Sequence, residues 1–283
     1  MEGALIALRF AQYLGVATLF GASLFFLYAL PATGPAAATA LGWPRRLILG
    51  GAALTLLAAV GGGVVQTAVM AGSFTEGLKA ESLRYVALET GIGRGAALRA
   101  LIGVSAFTAL IASRPGRRGW MVLSTLGLIA GASLGWMGHG AATDGPGRSL
   151  HLISDVLHSL AACVWIGALA AFLALLRPRT NQPPELLGAT CRALEGFAGL
   201  GSALVAVLIV TGLVNSWFLV GLDRIEGLWT TPYGRLLLIK LAAFGAMLAL
   251  AAANRFRLTP HLRQALAGSG APAAALAALR RSL

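Results

Sequence analysis

Three residues in one apolar stretch carry side chains capable of chemistry: His151, Asp155 and His158, within LHLISDVLHSLAACVWIGALAAFLALLR at 150–177. At about 100° per helical residue, Asp155 lies about 40° from His151 and His158 about 20° to its other side. All three therefore share one face, and Trp165 continues the same stripe. The stretch is long enough to cross a bilayer, where titratable side chains are costly and mark function. Just upstream, LGWMGHG brings Met137 and His139 near the start of this helix across a short Gly-rich connection. Imidazole binds Cu(II), Zn(II) and Cu(I), and a thioether favours Cu(I). His139, His151 and His158, with Met137, thus make a candidate metal site in which Asp155 either ligates or holds the His158 ring. His158 sits about 10 Å below His151 along the axis, so an entry site followed by a deeper one fits as well as one shared site. Two other readings of the histidines stay open: interfacial side chains bonded to polar partners, and a proton relay.

Other polar groups in apolar surroundings play supporting parts. Lys240 lies about 13 Å into the last apolar run and needs a partner, for which Asp155 is at a compatible depth. Met70 and Gln66 fall near the end of the second run; Met70 is either a further metal ligand or packing. Cys163 is rotated off the stripe and reads as core. It and Cys191 fall at opposite ends of the expected bundle, so no disulfide between them is expected.

These residues need a membrane scaffold to position them. The 283 residues are 57% hydrophobic and 11% charged, and apolar runs of about 20 residues recur along the chain. The fold class is therefore all-α: a polytopic transmembrane helix bundle in a lipid bilayer. Spans are expected at about 5–30, 45–70, 95–113, 119–138, 150–176, 194–219 and 232–253. They form one transmembrane domain, with an outer loop at 71–94 carrying a short interfacial helix and a basic cytoplasmic tail at 254–283. The first span lacks a basic leader and is too long for a signal peptide, so it is expected to be retained. Most of the 37 glycines are expected to serve close helix packing.

The net charge of +12 does not indicate a nucleic-acid partner, because the arginines stand in short loops between spans. Arg45, Arg46, Arg114, Arg117, Arg118, Arg177, Arg179, Arg192 and the five arginines after the last span lie on one side, thirteen of the 22 Lys and Arg in all. That side is expected to be cytoplasmic, which puts the N-terminus outside, the C-terminus inside and the histidines at the outer face. The sequence contains no P-loop, dinucleotide fingerprint, nucleophile elbow or HExxH, so a hydrolase or ATP-driven pump is not indicated.

Three stretches together resemble a known family. They are Gly138-His139-Gly140 with His151, Asp155, His158 and Trp165-Ile166-Gly167; then Thr211-Gly212 with Asn215 and Trp217; and TPYGRLLLIKLAAFGAMLALAAANRFRLTP at 231–260. This pattern is similar to the copper resistance protein D (CopD) family of bacterial inner-membrane proteins over roughly residues 95–283, and matches in the N-terminal third only by hydropathy. Ala168 stands where the family has a second Gly after Trp-x-Gly. The resemblance implies a multi-pass protein of the bacterial inner membrane that takes copper from the periplasm, in uptake, homeostasis and resistance, in company with a periplasmic copper chaperone. It implies His139, His151 and His158 as the outer-face histidines, and a further, eighth helix beyond the 279–282 segment. Copper, as Cu(I) or Cu(II), would arrive at Met137, His139 and His151 and pass to His158 near Asp155, with Lys240 adjusting the charge. The expectation is a transporter that is not an enzyme, with a homo-oligomer as an open possibility. A different class fits the same histidines: a membrane redox protein holding haem b or linked to quinone. A docking scaffold for a partner protein is the third.

Overall fold

The structure, a computed structural model, describes residues 1–29, 42–138, 143–177, 184–221, 226–269 and 272–282. In chain order its helices are α1 (Glu2–Tyr28), α2 (Gly42–Met70), the short α3 (Phe74–Gly77) and α4 (Ala80–Glu89), then α5 (Gly91–Ala112) and α6 (Arg117–Met137). There follow α7 (Arg148–Leu175), α8 (Pro184–Val220), the short α9 (Gly227–Thr230), α10 (Pro232–Gly268) and α11 (Pro272–Ser282). Seven of them are long and apolar enough to cross a membrane, and no strand occurs among the described residues. The expected all-α, seven-span architecture is what is found.

Two spans differ in extent from the sequence reading. α8 begins at Pro184, ten residues before the expected start, and the last helix continues past Ala253 through a π-helical turn at Asn254–Leu258. Contacts that hydropathy does not register hold this extension. Arg255 donates to the Ala198 carbonyl at 3.3 Å and to Ser202 Oγ at 2.6 Å, and Ser282 Oγ donates to Asn254 Oδ1 at 2.5 Å. The 254–283 segment is thus largely helical. In the 71–94 stretch, Ser73 and Thr90 cap α3 and α5 by accepting from the amides of Glu76 and Gly93 at 3.1 and 3.0 Å. Phe74, Leu78, Tyr85 and Leu88 stand exposed there, the pattern of an element lying along a lipid interface.

The chain forms two compact units, residues 1–171 and 172–283. In the first, α1 is the most enclosed span: Val16, Leu19, Ala22 and Phe25 have no exposed surface. Small residues let its neighbours reach its backbone. A Cβ on Gly51 would come within 2.9 Å of Thr18, and one on Gly127 within 2.5 Å of the Phe20 Cα. At the π-helical turn Thr18–Ala22 of α1, Gly21 meets the Cys163 carbonyl and Gly167 meets the Gly21–Ala22 backbone. The Trp165-Ile166-Gly167 motif is therefore, in part, the contact that seats α7 against α1.

In the second unit, Thr231 caps α10 by accepting from the Gly234 amide at 3.0 Å, with Pro232 in the first turn. Gly234 itself lies against Gly227 and Leu228 of α9. These contacts, with those of Asn254 and Arg255, account structurally for most of the polar pattern at 231–260.

Candidate metal-binding site

α6 and α7 run antiparallel in direct contact, and glycines on α6 set the spacing. A Cβ on Gly131 would meet Leu160 at 2.8 Å, one on Gly135 would meet Val156 at 2.6 Å, and Gly138 sits directly on the Asp155 carboxylate. The α6 partners descend as the α7 partners ascend, which is the neighbour relation expected from the short connection. α6 tightens into a 3₁₀ turn over Ser133–Met137 before Gly138. That turn delivers Met137 and Gly138 to the level of Asp155.

Each expected ligand can now be placed. His151 is 1% exposed, and its Nδ1 lies 2.6 Å from Thr143 Oγ1. A histidine ring held at one nitrogen presents the other in a fixed direction, the arrangement found in metal-ligating imidazoles. Asp155 is half-buried, but its Oδ2 is fully buried with no hydrogen-bond partner among the described residues. His158 is half-buried one turn below Asp155 on the same helix, and Trp165 is buried further down the stripe. On α1, Tyr13 is hydrogen-bonded to Ser159 and interacts electrostatically with Asp155, Cys163 and Arg99.

His139 falls outside the described residues. Met70 is 51% exposed at the end of α2, and Met137 lines a crevice with Gln66 and Arg99. Lys240 is at an exposed position in the second unit. Cys163 and Cys191 are free, buried thiols. Among the described residues no three His, Cys, Asp or Glu side chains gather to hold one ion. His151, Asp155 and His158 are instead strung along the helix.

Arg99, absent from the sequence reading, is the largest fully buried side chain. Its Nε donates to Gln12 Oε1 at 2.8 Å, and its Nη1 donates to the Ser133 carbonyl and Oγ, each at 3.0 Å. The signal was present: Arg99 stands inside the expected 95–113 span and not in a loop, where a topology charge would lie.

Comparison with known proteins gives the family of the chain. Residues 1–150 match the family model described as "Copper resistance protein D-like, N-terminal domain", and residues 191–283 match "Copper resistance protein D". The family likeness thus includes the N-terminal third, which hydropathy alone had related. The chain is 36% identical over 264 residues to Copper resistance protein D of Pseudomonas syringae pv. tomato, covering 92% of this chain and 84% of that protein. It is 28% identical to Copper transport protein CutJ of Bacillus subtilis (strain 168), over 78% of this chain and 40% of CutJ. It is 25% identical to Inner membrane protein YebZ of Escherichia coli (strain K12), over 92% of this chain and 86% of that protein. No solved structure matches. With both family models and a relative matched along nearly its whole length, this multi-pass membrane protein belongs to the copper resistance protein D family.

Proposed function

We propose that this protein accepts copper ions at the end of the bundle formed by α6 and α7 and carries them into the bacterial inner membrane. The observation that supports this most directly is the Asp155 carboxylate, whose buried Oδ2 has no partner among the described residues. A buried carboxylate oxygen without a donor is costly unless a cation meets it. His151 stands one turn above and His158 one turn below it on the same face. Copper is the cargo that the names of two relatives suggest, Copper resistance protein D and Copper transport protein CutJ. The name of a third, Inner membrane protein YebZ, agrees with the membrane assigned.

In this reading an ion is met first by His151 and the Met137–His139 segment, and passes to Asp155 and His158. The linear spacing suits successive sites better than one closed cage, since an ion that must leave again should not be fully enclosed. The distribution of basic residues among the loops supports an orientation with this end at the periplasm and the C-terminus in the cytoplasm. The role is that of a carrier, and no catalytic step is required of any residue.

The test is copper content and affinity of purified protein in nanodiscs, for wild type and for His151→Ala/His158→Ala. Stoichiometric copper that is lost in the double variant supports the reading. Equal copper binding by both proteins overturns it, and a haem Soret band lost in the variant would replace it with the redox alternative.

A further inference from the structure

The second unit carries a cleft that the copper reading does not use. α10 runs for 37 residues, well beyond the roughly 20 that cross a bilayer, so its basic stretch at 255–263 lies past the apolar core of the span. There it faces the early part of α8, and the two helices border an open cleft of about 490 Å³. Leu194, Ala198 and Ala267 give the lining an apolar side, while Arg255 and Arg263 stand in it with a single carboxylate, Glu195. Arg255 is anchored by the bonds of its Nη1 to the Ala198 carbonyl and Ser202 Oγ, and its Nε and Nη2 make no hydrogen bond among the described residues. Arg263 is held loosely, its Nη1 3.9 Å from Glu195 Oε1 and its side chain 77% exposed; such a pair in contact with water is worth little.

We propose that this cleft binds the headgroup of an anionic phospholipid. Charge, size and depth select it together. Two guanidinium groups against one carboxylate leave the cleft positive, and a phosphodiester accepts from both. Arg255 is the preformed half of the site, and Arg263 exchanges its weak pair with Glu195 for the phosphate. The volume is that of a small-ligand site and more than ten times the share of one water, so a bare ion leaves the apolar side uncovered where a lipid covers it. Basic pockets between helices at the end of a membrane span are suited to acidic headgroups, and the orientation proposed above puts this one in the cytoplasmic leaflet. No residue of the α7 stripe takes part, so the site stands or falls independently of copper.

The experiment is native mass spectrometry of the intact protein in detergent micelles, titrated with phosphatidylglycerol, phosphatidylcholine or phosphatidylethanolamine. Wild type is expected to retain one phosphatidylglycerol at concentrations where neither zwitterionic lipid is retained. Arg263→Gln, at an exposed position that leaves the Arg255 bonds intact, should weaken that binding about 5-fold, and Arg255→Gln at least as much. Arg280→Gln makes the same charge change outside the cleft and should leave the affinity within about 2-fold. Equal retention of the three lipids would overturn the proposal, as would unchanged affinity in Arg263→Gln or an equal loss in Arg280→Gln, which would mean diffuse attraction. Displacement of phosphatidylglycerol by an equal concentration of inorganic phosphate would also overturn it, because the ligand would then be the free ion.

Discussion

Replacing Gly138 with Ala tests the copper site from outside its ligands. The new methyl would occupy the space that the Asp155 carboxylate now holds, so either Asp155 changes rotamer or the end of α6 moves. Overpacking of this kind costs about 1–3 kcal/mol of stability. The effect on copper follows from Coulomb's law. A carboxylate about 4 Å from Cu(I) contributes about 4.2 kcal/mol at an effective dielectric of about 20, and about 2.4 kcal/mol at about 7 Å. Displacing Asp155 should therefore weaken copper binding by about 1.8 kcal/mol, or roughly 20-fold. Competition with a Cu(I) chelator in nanodiscs reads the affinity, and a thermal scan reads the stability. Because the methyl acts only through Asp155, the two substitutions must be non-additive. In an Asp155→Ala background, Gly138→Ala should change copper affinity by less than about 2-fold and relieve most of its own stability cost. Unchanged affinity in the single variant, or an equal loss in both backgrounds, would refute the assignment of Asp155 to the ion.

Further outcomes are expected from other contacts. Thr143→Val removes the hydroxyl 2.6 Å from His151 Nδ1, and should lower copper affinity about 10-fold or more while leaving the helices intact by circular dichroism. Gln12→Leu leaves Arg99 Nε, now bonded at 2.8 Å, without an acceptor; a stability loss of about 1–3 kcal/mol should appear as a lower melting temperature. Gly167→Leu drives a side chain into the α1 backbone at Ala17–Ala22, and well-folded protein should be lost on size-exclusion chromatography, with Gly167→Ala intermediate. Thr231→Ala removes the cap on α10, and about 1 kcal/mol should be lost without any change in copper binding.

Much of this molecule was legible in its sequence because the bilayer imposes a single strong rule. Every backbone polar group must bond within its own segment, so long apolar runs are helices, and the seven spans could be counted before any coordinates. The shared face of His151, Asp155 and His158 was equally fixed, since helical periodicity alone determines it. Local chemistry set other details, such as the Thr231 cap. Tertiary structure alone decided which groups meet across helices. That Gly138 lies against Asp155, that Gly21 and Gly167 bring α1 and α7 into backbone contact, and that Gln12 and Ser133 satisfy Arg99 are relations between distant residues with no local signature. Hydropathy averages over a span and so registers neither a buried arginine nor its partners. Pairing across helices depends on close packing in three dimensions, and a glycine in the sequence does not reveal which backbone it admits.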